Sequence, residues 1–455
     1  MSGADDRLAE AVSRHQGGDL LGALAAYKRI LQQHPDHAAC QHLLGVALLQ
    51  SGRVAEALEA LQRSIELAPG EPAFLTSLGA ARRAAGQPEE AAECYRRALA
   101  LNPGYAAAHA NLGNVLLEMG QAAAARDSLL LAVQLEANQA GWHYTLGLAA
   151  QRLGLTREAA GHYRQALGVQ PDHAPALNNL GNLRSNAGDL TAALECFDRA
   201  VARQPGYAPA QANRAGTLLR LGRLEEAGAA YKAALDMAPE DPAINRAYSI
   251  FLWRRGRLVE ARERAAVSAR GTSDRQVRAL GLSQLATTEA YLSDYARVAE
   301  LSAAALELSP TDPVIWSQRL YSLSYHPDLS AADIFGEFVR WGDGQQVAAP
   351  SSCASDRTPG RRLRVGFVSP DFRRHTSRFY FAPLFEHYDR EAIELIGYSN
   401  VQQPDEWTEK FRGWSSGWRE IRGLSDAEVA EQVRADGIDI LIDGCNHMQD
   451  HRLGV

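Results

Sequence analysis

The sequence predicts an α-solenoid followed by a partial α/β, Rossmann-like lobe. Three observations lead there. Prolines recur every 34 residues at Pro35, Pro69, Pro103, Pro171, Pro205 and Pro239, with Ala137 in the one remaining place. A glycine stands seventeen residues before each member: Gly18, Gly52, Gly86, Gly120, Gly154, Gly188 and Gly222, with Gly256 one period on. Beyond residue 362, short apolar runs alternate with helical stretches.

A 34-residue period is the length of a tetratricopeptide hairpin. Each marker residue has a mechanical reason. The glycines take the left-handed conformation that ends the first helix. Five residues later come Ala23, Ala57, Ala91, Ala125, Ala159, Ala193, Ala227 and Ala261, small enough for two helices to approach closely. Four residues beyond these stand Tyr27, Leu61, Tyr95, Leu129, Tyr163, Phe197 and Tyr231, which fill the groove between units. Proline then stops the second helix. Gly45, Gly79, Gly113, Gly147 and Gly181 mark close packing within the first helices. Eight regular units are expected over 1–275, since one hairpin alone cannot bury its apolar face. After Arg275 the spacing degrades. Pro310 lies 71 residues after Pro239, three more than two periods, so 276–343 reads as a degenerate repeat with transition helices.

Stacks of this kind hold extended peptides, so a polypeptide in the concave groove is the expected partner. Asn111, Asn179 and Asn213 stand before the Leu-Gly pair or its equivalent, with Ser77 and Thr145 at matching places. An asparagine amide offers one acceptor and two donors, which can pair with a peptide backbone whatever its sequence. The alternative is that these amides bond neighbouring helices. On the peptide reading, each replacement by alanine weakens binding by about 1 kcal/mol.

The net charge of −7 argues against a nucleic-acid or anionic-membrane partner. Cys40, Cys94, Cys196, Cys353 and Cys445 lie far apart without metal spacing and read as idle thiols of a reducing compartment. The acidic start Met1–Asp6 has no apolar core of a signal peptide, and no apolar run is long enough for a membrane span. A cytoplasmic location is expected.

Residues 344–362 read as a linker: polar, proline-bearing and without periodicity. Leu363–Val368 is a buried-strand run that stops at Ser369-Pro370-Asp371. A helix is expected from Phe379 to Tyr388, and a second strand at Ile393–Tyr398. Ser425 with Glu428 forms a capping box that opens a second helix, running to Arg434 and ended by Gly437. Ile438–Asp443 is the third strand. Alternation of this kind means a parallel sheet with ligands at the carboxyl ends of its strands. The expected site is therefore the loops 369–375 and 444–451. No dinucleotide glycine fingerprint or Walker lysine motif follows the first strand. The first loop instead holds Asp371, Arg373, Arg374 and His375, arginines for phosphate contact and a histidine for proton transfer. His447 and His451, four apart after a strand and without a supporting cysteine or acid cluster, do not form a zinc motif.

Helical repeats, then RLYSLSYHPDLSAADIFGEFVRWGD (319–343), RLRVGFVSPDFRRH (362–375) and GLSDAEVAEQVRADGIDILIDGCNH (423–447) resemble bacterial members of the protein O-linked N-acetylglucosamine transferase family, the SPINDLY group. The resemblance implies that 363–455 is an incomplete N-terminal lobe of a GT-B glycosyltransferase, with the chain ending before the second lobe. It implies an inverting transfer of N-acetylglucosamine from UDP-GlcNAc to Ser or Thr of polypeptides held by the repeats, with no metal or other cofactor. His375 would be the catalytic residue. Asp371, Arg373, Arg374 and His447 would contact substrate, and Asn111, Asn179 and Asn213 would hold the peptide. Two segments depart from the family pattern, His375-Thr376-Ser377-Arg378-Phe379-Tyr380 and Asn446–Leu453. The alternative expectation is a non-enzymatic tetratricopeptide adaptor with a vestigial lobe.

Overall fold

The computed structural model describes residues 2–344 and 358–444. Helical hairpins pair α1 (Ser2–Gln16) with α2 (Leu20–Gln33), α3 (Ala38–Gln50) with α4 (Val54–Leu67), and α5 (Pro72–Ala84) with α6 (Pro88–Leu101). They continue with α7 (Ala106–Glu118) and α8 (Ala122–Leu135), α9 (Ala140–Arg152) and α10 (Thr156–Val169), and α11 (Ala174–Asn186) and α12 (Leu190–Arg203). Then come α13 (Ala208–Arg220) with α14 (Leu224–Met237), α15 (Pro242–Arg254) with α16 (Leu258–Arg270), and α17 (Arg275–Tyr291) with α18 (Tyr295–Leu308). Two further helices, α19 (Pro313–Leu323) and α20 (Ala331–Gly344), follow. The chain divides into two compact units, Met1–Arg184 with Thr191–Pro205, and Ser185–Leu190 with Gly206–Val455.

The marker residues do what their chemistry requires. The turn glycines from Gly18 to Gly256 all have φ between +73° and +87°, where a side chain would be strained. At Gly52 the following amide, Arg53 N–H, donates to Leu48 O at 2.9 Å, and Gly52 N–H donates to Leu49 O at 3.0 Å. These are the two bonds of a Schellman ending, and they satisfy carbonyls that the helix leaves open. The alanines from Ala23 to Ala261 have no exposed surface. Within the first unit, a methyl group on Gly147 would stand 2.5 Å from the Tyr163 ring, and one on Gly181 would stand 2.7 Å from the Phe197 ring. Gly45, Gly79 and Gly113 face Leu61, Tyr95 and Leu129 in the same way.

The region after Arg275 holds one further, irregular hairpin followed by two helices. α17 and α18 form a full hairpin, and the extra length lies inside α17, which has 17 residues where α15 has 13. Ser293, seventeen residues before Pro310, takes the glycine's part with φ 65°. Asp294 N–H donates to Glu289 O at 3.1 Å, and Ser293 N–H donates to Ala290 O at 3.1 Å. The helix ending is thus preserved without its glycine, which is why spacing alone hides it.

In the second unit the lobe runs β1 (Leu363–Ser369), α21 (Arg378–His387), β2 (Ile393–Ser399), α22 (Glu406–Trp414), β3 (Gly417–Glu420), α23 (Asp426–Ala435) and β4 (Ile440–Asp443). All strands are parallel in the order β3-β2-β1-β4, with Val365 opposite both Leu395 and Ile440. The sheet has one strand more than the sequence reading. β3 is Gly-Trp-Arg-Glu, a half-exposed edge strand with no apolar run to announce it. The Ser425–Glu428 capping box forms as expected. Phe367, Phe372, Phe385 and Phe411 meet at ring separations of 5.2–5.9 Å and build the core on one side of β1 and β2.

Arg361 clamps the two neighbouring strands from the amino end, its guanidinium gripping both oxygens of Asp439 at 2.5 and 2.7 Å. The same carboxylate accepts from Arg364 N–H at 2.9 Å. These bonds hold Asp439 down to about 2, with the Arg361 hydrogen bond the largest cause and Arg364 next.

Two outcomes are expected. Gly147→Ala forces its methyl into the Tyr163 ring and lowers the denaturant stability of the first unit by about 1–3 kcal/mol; an unchanged midpoint would show that the ring can withdraw. Because its folded-state pKa is depressed, Asp439 stabilises fully above the unfolded carboxylate value near 4, and this contribution is lost as pH falls through about 2. Asp439→Asn therefore destabilises the lobe at pH 7, and the gap to the parent protein closes by pH 2, followed by the fluorescence of Trp407, Trp414 and Trp418 in urea. A gap independent of pH would refute the clamp.

Candidate functional site

The strand order places the sheet's switch point between β1 and β4, because the chain adds β2 and β3 on one side and then crosses to the other. Open parallel sheets bind ligands outside the carboxyl ends of the strands at such a point. The loop after β1 lies there and is rigidly held. Phe372 is wholly buried against Phe367, Phe385, Phe411 and Trp418. Asp371 N–H donates to Ser369 Oγ at 3.0 Å, and Asn400 N–H beyond β2 donates to Ser369 O at 3.1 Å.

On this base Asp371 and His375 come together. The Asp371 side chain is 8% exposed, and its Oδ2 lies 3.2 Å from His375 Nδ1. Ser377 Oγ is 2.8 Å from the same nitrogen. The carboxylate favours the tautomer with the proton on Nδ1, which leaves Nε2 as the basic nitrogen. The two arginines part company. Arg374 turns toward α22, where its guanidinium pairs with Glu406 and its backbone N–H donates to Asp405 Oδ2 at 2.7 Å. The Glu406 hydrogen bond raises the Arg374 pKa further. Arg373 stays half-exposed at 3.9 Å from Asp371, the one loop arginine directed at the histidine pair. Ser377, Asp405 and Glu406 escape a sequence reading because no motif announces them. The β1 loop is their common neighbour, and that is visible only once α22 is in place. His447 lies outside the described residues.

In the repeats, Asn179 on α11 extends Nδ2 toward Tyr163 Oη at 3.4 Å and Tyr144 Oη at 3.5 Å, and Asn178 Nδ2 approaches its Oδ1 at 3.3 Å. All three are long bonds, yet they tie this amide to two helices of the preceding hairpin. Tyr163, pushed up to about 12 by burial, donates to Gln151 Oε1 at 2.7 Å. Asn111 on α7 is half-buried and makes no side-chain hydrogen bond among the described residues. Asn213 belongs to the other unit, and its backbone carbonyl accepts from Thr217 Oγ1 at 3.0 Å. Asn114 and Asn182, missed in the sequence, share the helix face of Asn111 and Asn179 three residues on, half-buried and without side-chain partners among the described residues. Their separation of two 34-residue periods was the available signal.

Among the described residues, no group of histidine, cysteine and acidic side chains suits a metal ion. No helix there is long and apolar enough to cross a membrane.

Comparison with known proteins fixes the class of the first part. Profiles of the tetratricopeptide repeat match residues 15–80, 79–120, 106–139, 144–208, 178–242 and 218–283. This part of the chain is therefore a tetratricopeptide array. The repeats are similar to those of probable UDP-N-acetylglucosamine–peptide N-acetylglucosaminyltransferases named SPINDLY. Identity is 26% over 155 residues with the Solanum lycopersicum protein, covering 33% of this chain and 17% of the relative. It is 30% over 156 residues with the protein of Eustoma exaltatum subsp. russellianum, at the same coverages. The probable transferase SEC of Arabidopsis thaliana is 28% identical over 83 residues, 18% of this chain and 8% of that protein. The matched stretch thus spans about a sixth of the length of the SPINDLY relatives, and it lies in the repeats. Among solved structures, MamA is 26% identical with a TM-score of 0.33, covering 38% of this chain and 93% of its own. YrrB, a TPR protein with an unusual peptide-binding site, is 22% identical with a TM-score of 0.35, covering 41% and 95%.

The two amide environments separate in stability measurements. Asn179→Ala removes bonds between helices and lowers the stability of the first unit by about 0.5–1 kcal/mol, whereas Asn111→Ala and Asn182→Ala leave it unchanged. Equal losses at all three positions would mean that Asn111 and Asn182 are structural as well.

Proposed function

We propose that the chain serves protein glycosylation in the cytoplasm. The repeats hold a polypeptide, and the lobe takes part in transferring N-acetylglucosamine from UDP-GlcNAc to a serine or threonine hydroxyl. The observation that carries this reading is the buried Asp371 carboxylate 3.2 Å from His375 Nδ1, in a loop at the switch point of the parallel sheet. The likeness of the repeats to those of proteins named as peptide N-acetylglucosaminyltransferases supports it.

The chemistry assigns each group a task. Asp371 orients the imidazole, and His375 Nε2 accepts the proton of the acceptor hydroxyl. The hydroxyl oxygen then bonds to the anomeric carbon while the bond to the diphosphate breaks, and UDP leaves with that electron pair. Arg373 offers positive charge to the departing diphosphate. Arg374, already paired with Glu406, braces the loop against α22 instead. His447 would contact substrate as well, as the family resemblance implies. The unpartnered amides of Asn111, Asn114 and Asn182 supply backbone contacts for the bound polypeptide, and Asn179 and Asn213 extend that set.

The test incubates the purified chain with labelled UDP-GlcNAc and a bacterial lysate, with UDP titrated calorimetrically in parallel. Label transfer that falls by about 100-fold or more in His375→Ala, with the fold retained, is the expected result. No transfer and no UDP binding would overturn the reading and leave a peptide-binding adaptor.

A further inference from the structure

A cavity of about 400 Å³ opens in the second unit between α16, α17 and the first turn of α18, far in sequence from the β1 loop. Six charged side chains line it: Arg262, Glu263, Arg264 and Arg270 from α16, Glu289 from α17 and Arg297 from α18. Arg297 is paired with Glu300 at 2.7 Å. Arg262, Arg264 and Arg270 make no side-chain hydrogen bond or ion pair among the described residues. Three arginines that line one cavity without a hydrogen bond or ion pair offer donors and positive charge suited to a multiply charged oxyanion.

Glu289 supplies a second, independent observation. It is 8% exposed, and its carboxyl has no hydrogen-bonding partner among the described residues. It stands four residues before Ser293, a place where other hairpins carry Leu48, Leu116, Leu218 and Leu252 or Arg14, Arg82 and Arg184, and none carries a carboxyl. A buried carboxylate whose oxygens accept no hydrogen bond is costly. Burial pushes its pKa up and Asp294 adds to this, against the opposing pull of Arg262 and Arg297. In its protonated form, which burial favours, the Glu289 carboxyl can donate to an anion's oxygen.

We infer that this cavity between the eighth and ninth hairpins binds a phosphate-type oxyanion, held by Arg262, Arg264 and Arg270 and by the Glu289 carboxyl. The anion arrives either as free phosphate or as a phosphorylated side chain, which share this chemistry. The inference does not depend on the sugar-transfer reading.

The full chain is titrated calorimetrically at low ionic strength with inorganic phosphate and with O-phosphoserine. Saturable binding of at least one probe below about 5 mM is expected. The double variant Arg262→Met/Arg270→Met, whose side chains are exposed, folds normally and binds about tenfold or more weakly. Glu289→Gln keeps a donor and binds as well as the parent or better. Tighter binding of O-phosphoserine assigns the site to a phosphorylated polypeptide, and equal or tighter binding of phosphate assigns it to the free ion. Absence of saturable binding, indifference to the arginine substitutions, or loss of binding in a folded Glu289→Gln would each overturn the inference, the last because a cation site needs the carboxylate.

Discussion

The repeats rest on a contact that leaves no space for a single methyl group. In each hairpin from the second to the sixth, a glycine of the first helix lies against the bulky residue of the second, and an added Cβ would come within 2.5–2.7 Å of it. That contact sets the separation of the two helices. The fully buried alanines allow the close approach, and the left-handed glycines turn the chain so that the two faces meet. Because these five hairpins repeat the contact, each presents the same first-helix positions at the same height. Side chains three residues apart, such as Asn111 and Asn114, are thereby set in register with Asn179 and Asn182 two hairpins on. The packing that stabilises the array therefore also lays out its recognition chemistry.

The lobe uses a comparable economy. Phe372 follows Asp371 directly, and its burial among four rings fixes the peptide on either side of it. Asp371 is thereby held beneath His375 without a dedicated helix or strand. The Arg374–Glu406 pair is exposed and stabilises little by itself. Its geometric effect is larger, because Asp405 accepts from the Arg374 amide while capping α22. Positive charge and proton chemistry are divided between adjacent residues: one arginine braces, the other stays beside the histidine.

Legibility followed periodicity. The hairpins, their turn glycines and their buried alanines could be read because identical steric demands recur every 34 residues. The capping box at Ser425 could be read because two side chains complete each other's hydrogen bonds within one turn. The misses share a cause as well. β3 is held by pairing with β2 and not by an apolar pattern of its own, and Ser293 reproduces a glycine's conformation with a different residue. Which amides of the asparagine row are already bonded was equally hidden, since that depends on tyrosines in another hairpin at Tyr144 and Tyr163.

These misses bear on how sites arise in a repeating fold. A repeat makes its own deviations conspicuous only when the frame stays aligned, and the three residues gained over the two periods from Pro239 to Pro310 shift that frame. Counted from Pro239, Glu289 falls in the place of Leu221 and Arg255; counted back from Ser293, it falls in the place of Leu218 and Leu252. The helix ending at Ser293 is what restores the alignment, because its two backbone bonds are those of every other hairpin. Backbone hydrogen bonding is thus the better ruler for this chain than residue identity. Measured by it, the ninth hairpin combines the regular ending with a carboxyl that no other hairpin puts in that place, the combination expected when a scaffold is kept and a site is added to it.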